Sequence, residues 1–321
     1  MIIRSATDAD IPAIIELLKL SLGESLMPKS EAYWNWKHVN NPFGKSPVLL
    51  AEENNQIIGV RAFMQWSWSR QDKVYLSLRA VDTAVHPDYQ GKGIFKKLTM
   101  SLIEQCTEEE FDFIYNTPNP QSKPGYLKMG WQVLGKLPVT IRFPALQRII
   151  FGSKPQEFKE GYNLQPIIEN PHFEKLIQSQ SNQGIHTALS VNYFKWRYLE
   201  VPVVKYYGEA QMKEGVNWIV IFRIKPFRKS FELRIVELLF DSVQNLPAIK
   251  QAISKLNKEL KPAFISIGGQ SLSRKELKAL GFSFNLKIGP IMTFRSLGKE
   301  VDDFGMDLKQ WGMGLGDMEL F

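Results

Sequence analysis

Residues 85–95 read VHPDYQGKGIF, and they lie between an apolar run typical of a strand and a segment with helical spacing. Gly91 and Gly93 let the backbone turn tightly and point successive N–H groups into one concavity. The positive end of the following helix lies at the same place. We therefore predict a phosphate site built from backbone, although a strand-to-helix turn without a ligand has the same outline.

The spacing of these glycines excludes two common phosphate-binding motifs. A dinucleotide fingerprint requires GxGxxG, and a Walker loop ends in Gly-Lys followed by Ser or Thr. Neither pattern occurs at 85–95. The phosphate is therefore expected to belong to a different kind of ligand.

Strand and helix signals alternate on both sides of this loop. Thr7 and Asp10 form a capping-box-like pattern, and the apolar residues that follow at helical spacing predict a first amphipathic helix: Ile11, Ile14, Ile15, Leu18 and Leu22. Short or alternating apolar runs predict strands, and longer periodic runs predict further helices. The predicted strands are 47–52, 56–69, 74–85 and 111–116, and the predicted helices are 94–106 and a segment ending near 129–130.

The loop resembles the pyrophosphate loop of the GNAT acyltransferases, whose pattern is Gln/Arg-x-x-Gly-x-Gly/Ala. Gln90, Gly93 and Phe95 occupy the three defined positions, and Phe95 departs from the small residue expected there. Further along, residues 126–131 (YLKMGW) resemble the terminal Tyr-x-Lys-Leu-Gly-Phe of that family. Asn119 lies seven residues before the tyrosine of this motif, as the family's asparagine often does. The resemblance covers about residues 1–143.

The second half of the chain repeats the order of the first. YWNWK at 33–37 is echoed by YFKWR at 193–197, and LRAVD at 78–82 is echoed by LRIVE at 233–237. A third echo joins KMGW at 128–131 to KALGF at 278–282. Three matches in order favour duplication over chance. The interval between Phe240 and the helix predicted at 245–260 contains no glycine, so we expect the second copy to bind no cofactor.

The resemblance implies a mixed α/β fold with two tandem GNAT units. We predict a catalytic domain at 1–143 that binds acyl-CoA, a connector at 144–162, and a second GNAT-like domain at 163–321 without a pyrophosphate loop. The tail at 311–317 is too rich in glycine for a stable helix, and its apolar residues predict that it docks onto the body.

In GNAT enzymes the sheet splays between its fourth and fifth strands, and coenzyme A enters the gap. By resemblance these strands are 74–85 and 111–116, and the pantetheine lies beside Thr83 and Val85. The resemblance also assigns cofactor-binding roles to Asn119 and Tyr126. The pyrophosphate is expected on the backbone of the loop after Gln90, which comprises Gly91, Lys92, Gly93, Ile94 and Phe95.

Acyl transfer to an amine requires deprotonation of the amine, stabilisation of the oxyanion and protonation of the departing thiolate. The family's matching tyrosine lies near the thioester sulfur, so Tyr126 is expected to protonate the thiolate. The general base is less defined. Asp82 on the cofactor strand is the leading candidate, and Glu52, Glu53 and His38 are alternatives.

Composition narrows the class of protein. The formal charge of +7 is spread along the chain without a dense basic block, so no nucleic-acid partner is expected. No apolar stretch is long enough for membrane insertion. Cys106 is the only cysteine, and the histidines have no metal-ligand spacing, so neither a disulfide nor a metal site is expected. The acidic start of the chain does not resemble a signal peptide, which together with the single cysteine predicts a cytoplasmic location.

Three functions fit these observations. The first is an acyl-CoA-dependent N-acyltransferase that moves an acyl group, expected to be acetyl, from its co-substrate to a primary amine of a small molecule or sugar. The second is a Fem-type aminoacyltransferase, which also pairs two GNAT-like domains but takes its donor from aminoacyl-tRNA. The third is a non-catalytic module that binds acyl-CoA. The phosphate loop favours the first over the second, because a tRNA donor does not need one.

Overall fold

A computed structural model describes residues 1–24, 27–143, 148, 152, 160–180, 184–269, 271–286, 289–298, 301 and 305–318. Most of the predicted connector 144–162 lies outside these residues. Within the described residues, no helix has the length and apolar character needed to cross a membrane.

The N-terminal half alternates strands and helices as the apolar pattern predicts. The predicted bounds of its main elements agree with the observed ones to within two residues. The capping box between Thr7 and Asp10 is present, and it leads through a short 3₁₀ turn into the first helix. The elements are β1 (Ile2–Ser5), α1 (Ile11–Leu22), α2 (Glu31–His38), β2 (Val48–Glu53), β3 (Gln56–Arg70), β4 (Lys73–Val85), α3 (Ile94–Glu108), β5 (Phe113–Asn116), α4 (Lys123–Lys128), β6 (Gln132–Lys136) and β7 (Val139–Arg142).

The C-terminal half follows a similar order of strands and helices. Its first helices are short, and the third continues into a π-helical turn at Lys195–Leu199. The elements are α5 (Gln165–Ile168), α6 (Pro171–Gln178), β8 (His186–Thr187), α7 (Val191–Phe194), β9 (Tyr207–Lys213), β10 (Val216–Phe227), β11 (Ser230–Phe240), α8 (Leu246–Leu260), β12 (Phe264–Gly268), α9 (Arg274–Ala279), β13 (Phe284–Leu286) and β14 (Ile291–Ser296).

The chain forms two compact units, and each contains one mixed sheet. The first unit comprises 1–135, 201–203 and 290–310, and the second comprises 136–200, 204–289 and 311–321. The sheet of the first unit has the order β1-β2-β3-β4-β5-β14-β6, and that of the second has the order β13-β7-β12-β11-β10-β9. In each sheet one parallel pair, β4 with β5 or β11 with β12, lies among antiparallel neighbours.

Each half of the sequence contributes one strand to the sheet formed mainly by the other half, which the sequence pattern does not predict. β14 comes from the far end of the chain and pairs with β5 in the first unit. β7 pairs with β12 and β13 in the second unit. Each sheet is thus completed by a strand from the other half of the sequence. The domain boundaries at 143 and 163 stay a prediction.

Helices cover both faces of the first sheet. α1 and Trp34 of α2 pack on the face that contains Val60 and Ala62 of β3. α3 and α4 pack on the opposite face, which contains Phe63. Cys106 is fully buried on α3, and burial raises the pKa of its thiol, as expected for a small core residue. The echoed aromatic residues of α2, of α7 and of the π-helical turn after α7 are also buried: Trp34, Trp36, Phe194 and Trp196.

Candidate active site

The predicted phosphate loop turns from β4 into α3 through two left-handed glycines. Gly91 and Gly93 both have a φ of 77°, and a side chain at either position would project into open space. Gly93 is the N-cap residue of α3 and provides no side-chain cap. The start of this helix is therefore bare.

The backbone amides of this loop are unpaired among the described residues. Within the described part of the chain, no hydrogen bond is donated by the N–H groups of Gly91, Lys92, Gly93, Ile94 or Phe95. Unpaired amides at a helix N-terminus attract anions through both hydrogen bonding and the helix dipole. The loop thus has the geometry of an anion cradle, and the Lys92 side chain lies beside it with its Nζ 4.4 Å from the Tyr89 ring centroid.

The parallel strands β4 and β5 separate next to this loop. They pair only from Ser77 to Arg79 on β4, opposite Phe113 to Tyr115 on β5. In the part of the chain that the structure describes, β4 continues to Val85 without a strand partner on that side, while β5 ends at Asn116. The segment from Ala80 to Val85 therefore has a strand edge to which an extended ligand can pair.

A β-bulge interrupts β4 within this unpaired segment. Ala62 of β3 lies opposite Val81, and Arg61 lies opposite Thr83, so Asp82 is the extra residue. Its φ of +36° is unusual for a residue other than glycine. Bulges of this kind redirect a side chain and are frequent beside active sites.

The bulge directs Asp82 into a buried polar cluster on the face covered by α2. Its Oδ2 lies 2.7 Å from Nζ of Lys37 and 2.8 Å from Nε2 of His38. The other ring nitrogen of His38 lies 2.9 Å from Oγ of Ser46. Burial alone would raise the pKa of Asp82, but Lys37 and His38 together hold it well below its usual range. Asp82 is therefore a carboxylate at any physiological pH, and such a carboxylate is a weak direct base.

The alternative acidic candidates lie apart from this cluster. Glu52 pairs with Arg4 at 2.7 Å, and Glu53 pairs with the amino terminus at 3.3 Å. The structure therefore joins His38 to Asp82, and it places Glu52 and Glu53 in ion pairs with the N-terminal strand.

On the opposite face, Tyr126 lies in an aromatic cluster beside the loop. Its ring is 5.7 Å from that of Phe95, and the two are edge-to-face. Gly125 makes this contact possible, because a Cβ there would lie 3.2 Å from the Phe95 ring. The large residue in the loop is thus matched by a small residue on α4. Tyr126 is 5% exposed, and its hydroxyl makes no hydrogen bond within the described residues.

Arg61 is a site residue that the sequence analysis missed. Its Nη1 donates to Oγ1 of Thr83 at 2.6 Å, and its guanidinium lies 5.4 Å from the Tyr126 ring centroid. The side chain is 1% exposed, and neither Nε nor Nη2 has a partner within the described residues. Buried donors are rarely left unpaired, so these atoms indicate an acceptor group supplied by a ligand.

The remaining predicted site residues have structural partners. Oδ1 of Asn119 accepts a hydrogen bond from the backbone N–H of Ser122 at 2.8 Å, which shapes the turn before α4. The carbonyl of Val85 accepts from Oγ of Ser21 at 3.0 Å and from Nε2 of Gln90 at 3.2 Å. Gln90 thus ties the loop back to the end of β4.

The corresponding gap in the second unit is filled by the tail of the same chain. Trp311, Met313, Leu315 and Met318 are buried there. Gly316 N–H donates to the carbonyl of Val236 at 2.9 Å, and Gly314 forms a β-bridge with Gly269 at the end of β12. The prediction that the tail docks onto the body is confirmed. The helix after β11 begins differently too, because Ser242 caps its first turn by accepting from Gln244 N–H.

Comparison with known proteins gives the family of the first unit. Residues 2–134 match the family described as the acetyltransferase (GNAT) domain. These residues form a GNAT domain. The L-amino acid N-acyltransferase MnaT of Escherichia coli (strain K12) is 30% identical over 118 residues, which cover 34% of this chain and 64% of that protein. The L-methionine sulfoximine/L-methionine sulfone acetyltransferase of Salmonella typhimurium (strain LT2) is 27% identical over 164 residues, which cover 44% of this chain and 87% of that protein.

Solved structures extend the likeness beyond the GNAT domain to both units. A GCN5-related N-acetyltransferase from Anabaena variabilis has a TM-score of 0.67 at 14% identity, over 92% of this chain and 73% of its own. The Saccharomyces cerevisiae N-myristoyltransferase with bound myristoyl-CoA has a TM-score of 0.57 at 11% identity, over 97% and 84%. At these identities the likeness shows the fold alone. The predicted GNAT resemblance and the mixed α/β fold class are confirmed.

Proposed function

We propose that the chain is an acyl-CoA-dependent N-acyltransferase, with acetyl-CoA as donor and a primary amine of a small molecule as acceptor. The observation that carries the proposal is the bare amide cradle at Gly91–Phe95 beside the unpaired edge of β4. A diphosphate fits the cradle because it supplies the acceptors that these amides lack. The thioester carries an activated acyl group, and the residues of the domain have to bind it and move protons.

The donor is expected to lie along the segment from Ala80 to Val85. Its diphosphate accepts hydrogen bonds from the amides of the cradle, and its pantetheine pairs with the strand edge near Thr83. The free donors of Arg61 lie beside Thr83, so we assign them to an oxygen of the bound donor. Coenzyme recognition thus depends mainly on backbone and needs few basic side chains.

Tyr126 is proposed to protonate the departing thiolate. Its hydroxyl has no hydrogen-bond partner among the described residues, and its ring contacts Phe95 on one side and Trp131 at 5.0 Å on the other. A hydroxyl held in this way can donate to the sulfur without first breaking another hydrogen bond.

The acceptor is proposed to be the amine of an amino acid or of another small molecule, such as an amino sugar. The names of the two relatives refer to amino acids or their derivatives, which makes amino acids the first class to test. We also propose a cytoplasmic location, because the single cysteine gives the chain no intramolecular disulfide.

The test is a panel of amines with detection of thiol released from acetyl-CoA. The panel should contain amino acids, amino sugars, polyamines and peptide amines. Amine-dependent thiol release, with the N-acetyl product seen by mass spectrometry, is the expected result. Binding of acetyl-CoA without turnover on any amine would favour a non-catalytic module, and no binding at all would contradict the cradle.

A further inference from the structure

Ser46, His38 and Asp82 form a hydrogen-bonded line from a cavity to the bulge of β4. His38 Nδ1 lies 2.9 Å from Oγ of Ser46, and His38 Nε2 lies 2.8 Å from Oδ2 of Asp82. Because Asp82 is ionised, Nε2 carries the hydrogen and donates it to the carboxylate. In a neutral ring Nδ1 is then an acceptor, and it receives the hydroxyl proton of Ser46. The order hydroxyl, imidazole, carboxylate is the one that activates a hydroxyl in serine hydrolases.

Ser46 and His38 both line a cavity of about 290 Å³ in the first unit. Thr7, Asp8 and Lys45 are also part of its wall. The cavity lies beside α1 and α2, whereas Tyr126 and Phe95 lie on the opposite face of the sheet. Asp82 belongs to the unpaired segment of β4, so the line connects the cavity to the strand along which the donor is placed.

The second unit has a polar cluster at the matching positions, but it contains neither the histidine nor the serine. The residues found 160 positions after Lys37, His38 and Ser46 are Arg197, Tyr198 and Tyr206. Tyr198 donates to Glu237, the counterpart of Asp82, at 3.1 Å, and Arg197 donates to Tyr206 at 2.9 Å. Both units therefore have a cation, a ring and a carboxyl group at these matched positions, and these groups can hold the helix against the strand. At these matched positions, histidine and serine occur only in the unit that has the phosphate cradle.

We propose that Ser46, His38 and Asp82 form the proton-accepting relay of the acyltransferase, and that the acceptor amine enters through the cavity that Ser46 lines. This inference rests on the proposed function. As an ammonium approaches, one N–H bond breaks and its proton passes to Oγ of Ser46, while the hydroxyl proton of Ser46 passes to Nδ1 of His38. The imidazolium is held by Asp82. The neutral amine then forms the C–N bond with the thioester carbonyl, and the C–S bond breaks as Tyr126 gives its proton to the thiolate. The phenolate left on Tyr126 takes the second proton from the nitrogen, which yields the neutral amide.

Several charged groups surround His38. Lys37 and Asp82 are its buried charged neighbours among the contacts described above, and they oppose each other. The cavity wall adds the exposed Asp8–Lys45 ion pair, at 2.7 Å, and Glu109. Ring stacking with Trp34, at 4.1 Å between centroids, adds no charge. His38 thus contacts the carboxylate of Asp82, which Lys37 also contacts.

The test compares the pH dependence of kcat/KM for the parent, Ser46→Ala, His38→Gln and Tyr198→Phe in the full chain. His38→Gln is expected to lower turnover about 100-fold and to remove the acidic limb of the profile. Ser46→Ala is expected to lower turnover about 10-fold, because water replaces the hydroxyl poorly. Tyr198→Phe, the matched change in the second unit, should leave the profile unchanged. Acetyl-CoA affinity, measured by calorimetry, should match the parent in all three.

A pH profile unchanged in both His38→Gln and Ser46→Ala would overturn the relay while leaving the acyltransferase proposal intact. If instead the parent releases no thiol with any amine, the proposed function fails, and a second measurement still decides the relay. In ¹⁵N-histidine spectra the relay requires His38 to be neutral with hydrogen on Nε2 at high pH and to gain a proton between about pH 5 and 9. A ring with hydrogen on Nδ1 alone, or one that does not titrate, would contradict it.

Discussion

The two units differ in what lies at the gap between their two parallel strands. In each, a parallel pair of strands separates and leaves a gap beside an unpaired strand edge. In the first unit this gap lies next to a bare helix start with two left-handed glycines. In the second unit the tail from Trp311 to Met318 occupies it. Polar groups at an unpaired strand edge need hydrogen-bond partners. The tail supplies them in the second unit, and we propose that the acyl donor supplies them in the first.

The polar clusters around Asp82 and Glu237 also differ between the two units. Lys37 and Arg197, like Asp82 and Glu237, hold matching positions. In the first unit the pKa of Asp82 is held below its usual range by Lys37 and His38, against the effect of burial. In the second unit burial and the nearby charge of Asp317 raise the pKa of Glu237 to about 8. Arg197 donates to the tail carbonyls of Gly316 and Met318, so it neutralises Glu237 less effectively. The same frame thus holds an ionised carboxylate in one unit and a protonated one in the other.

The largest effect is expected for acetyl-CoA binding, which should occur at the gap of the first unit and not at that of the second. Calorimetry with acetyl-CoA should give one site per chain. Gly91→Asp should weaken binding at least about 100-fold, because its carboxylate repels the diphosphate (about 3 kcal/mol). An aspartate tolerates the left-handed conformation at this position, and open space surrounds it, so the fold should persist. The matched control is Gln244→Asp in the second unit, which should bind as the parent does. Two equal sites would break the comparison.

The next effect tests whether the tail is a structural part of the second unit. Leu315 is 4% exposed and packs against Gly268, where a Cβ would lie 2.6 Å from the leucine Cγ. Leu315→Ala should lower the free energy of unfolding in urea by about 2–4 kcal/mol. Leu20→Ala, at a position that is 56% exposed, should cost much less. Equal losses in both variants would mean that the tail does not stabilise the second unit.

Much of the first unit follows from the sequence, because its signals are local. Alternating apolar residues gave the strands, and the glycine pair with its following helix gave the cradle. The bulge at Asp82 could not be predicted, because a strand that is apolar on both faces has no alternation for one extra residue to interrupt. The exchange of β7 and β14 was equally hidden, since the pattern of a strand does not reveal which sheet it joins. The contact between His38 and Asp82 spans 44 residues, and only the paired retention of a cation and an acid in both halves pointed to it.

A smaller effect tests the role of Tyr126, which has no counterpart in the second unit. The residue 151 positions later, the offset of the final motif, is Leu277. Tyr126→Phe should lower kcat about 10-fold, since a thiolate leaves fairly well without a proton donor. The affinity for acetyl-CoA should not change, because the ring contacts with Phe95 and Trp131 remain. Unchanged turnover would remove the acid role, and a loss of affinity alone would make Tyr126 a binding residue.

The smallest effect concerns the protonated carboxyl group of the second unit. The pKa of Glu237 is about 8 in the folded protein, against 4.5 for the ordinary group, so the folded state keeps a proton that the unfolded chain releases between these values. The unfolded state binds fewer protons in this window, and the free energy of unfolding therefore falls as the pH rises from about 4.5 to 8. Glu237→Gln cannot ionise and should lose this dependence.

At pH 8 the Glu237→Gln variant should therefore be more stable than the parent, and near pH 5 the two should be similar. Urea unfolding at both pH values measures this difference. Glu214→Gln, an exposed position in a turn of the same unit, should show no change in slope. Asp82 has the opposite shift, so its contribution is present above its ordinary pKa and is lost in acid. The opposite result would be a parent that becomes more stable than Glu237→Gln as the pH rises from 5 to 8. Glu237 would then be ionised in the folded protein, as Asp82 is.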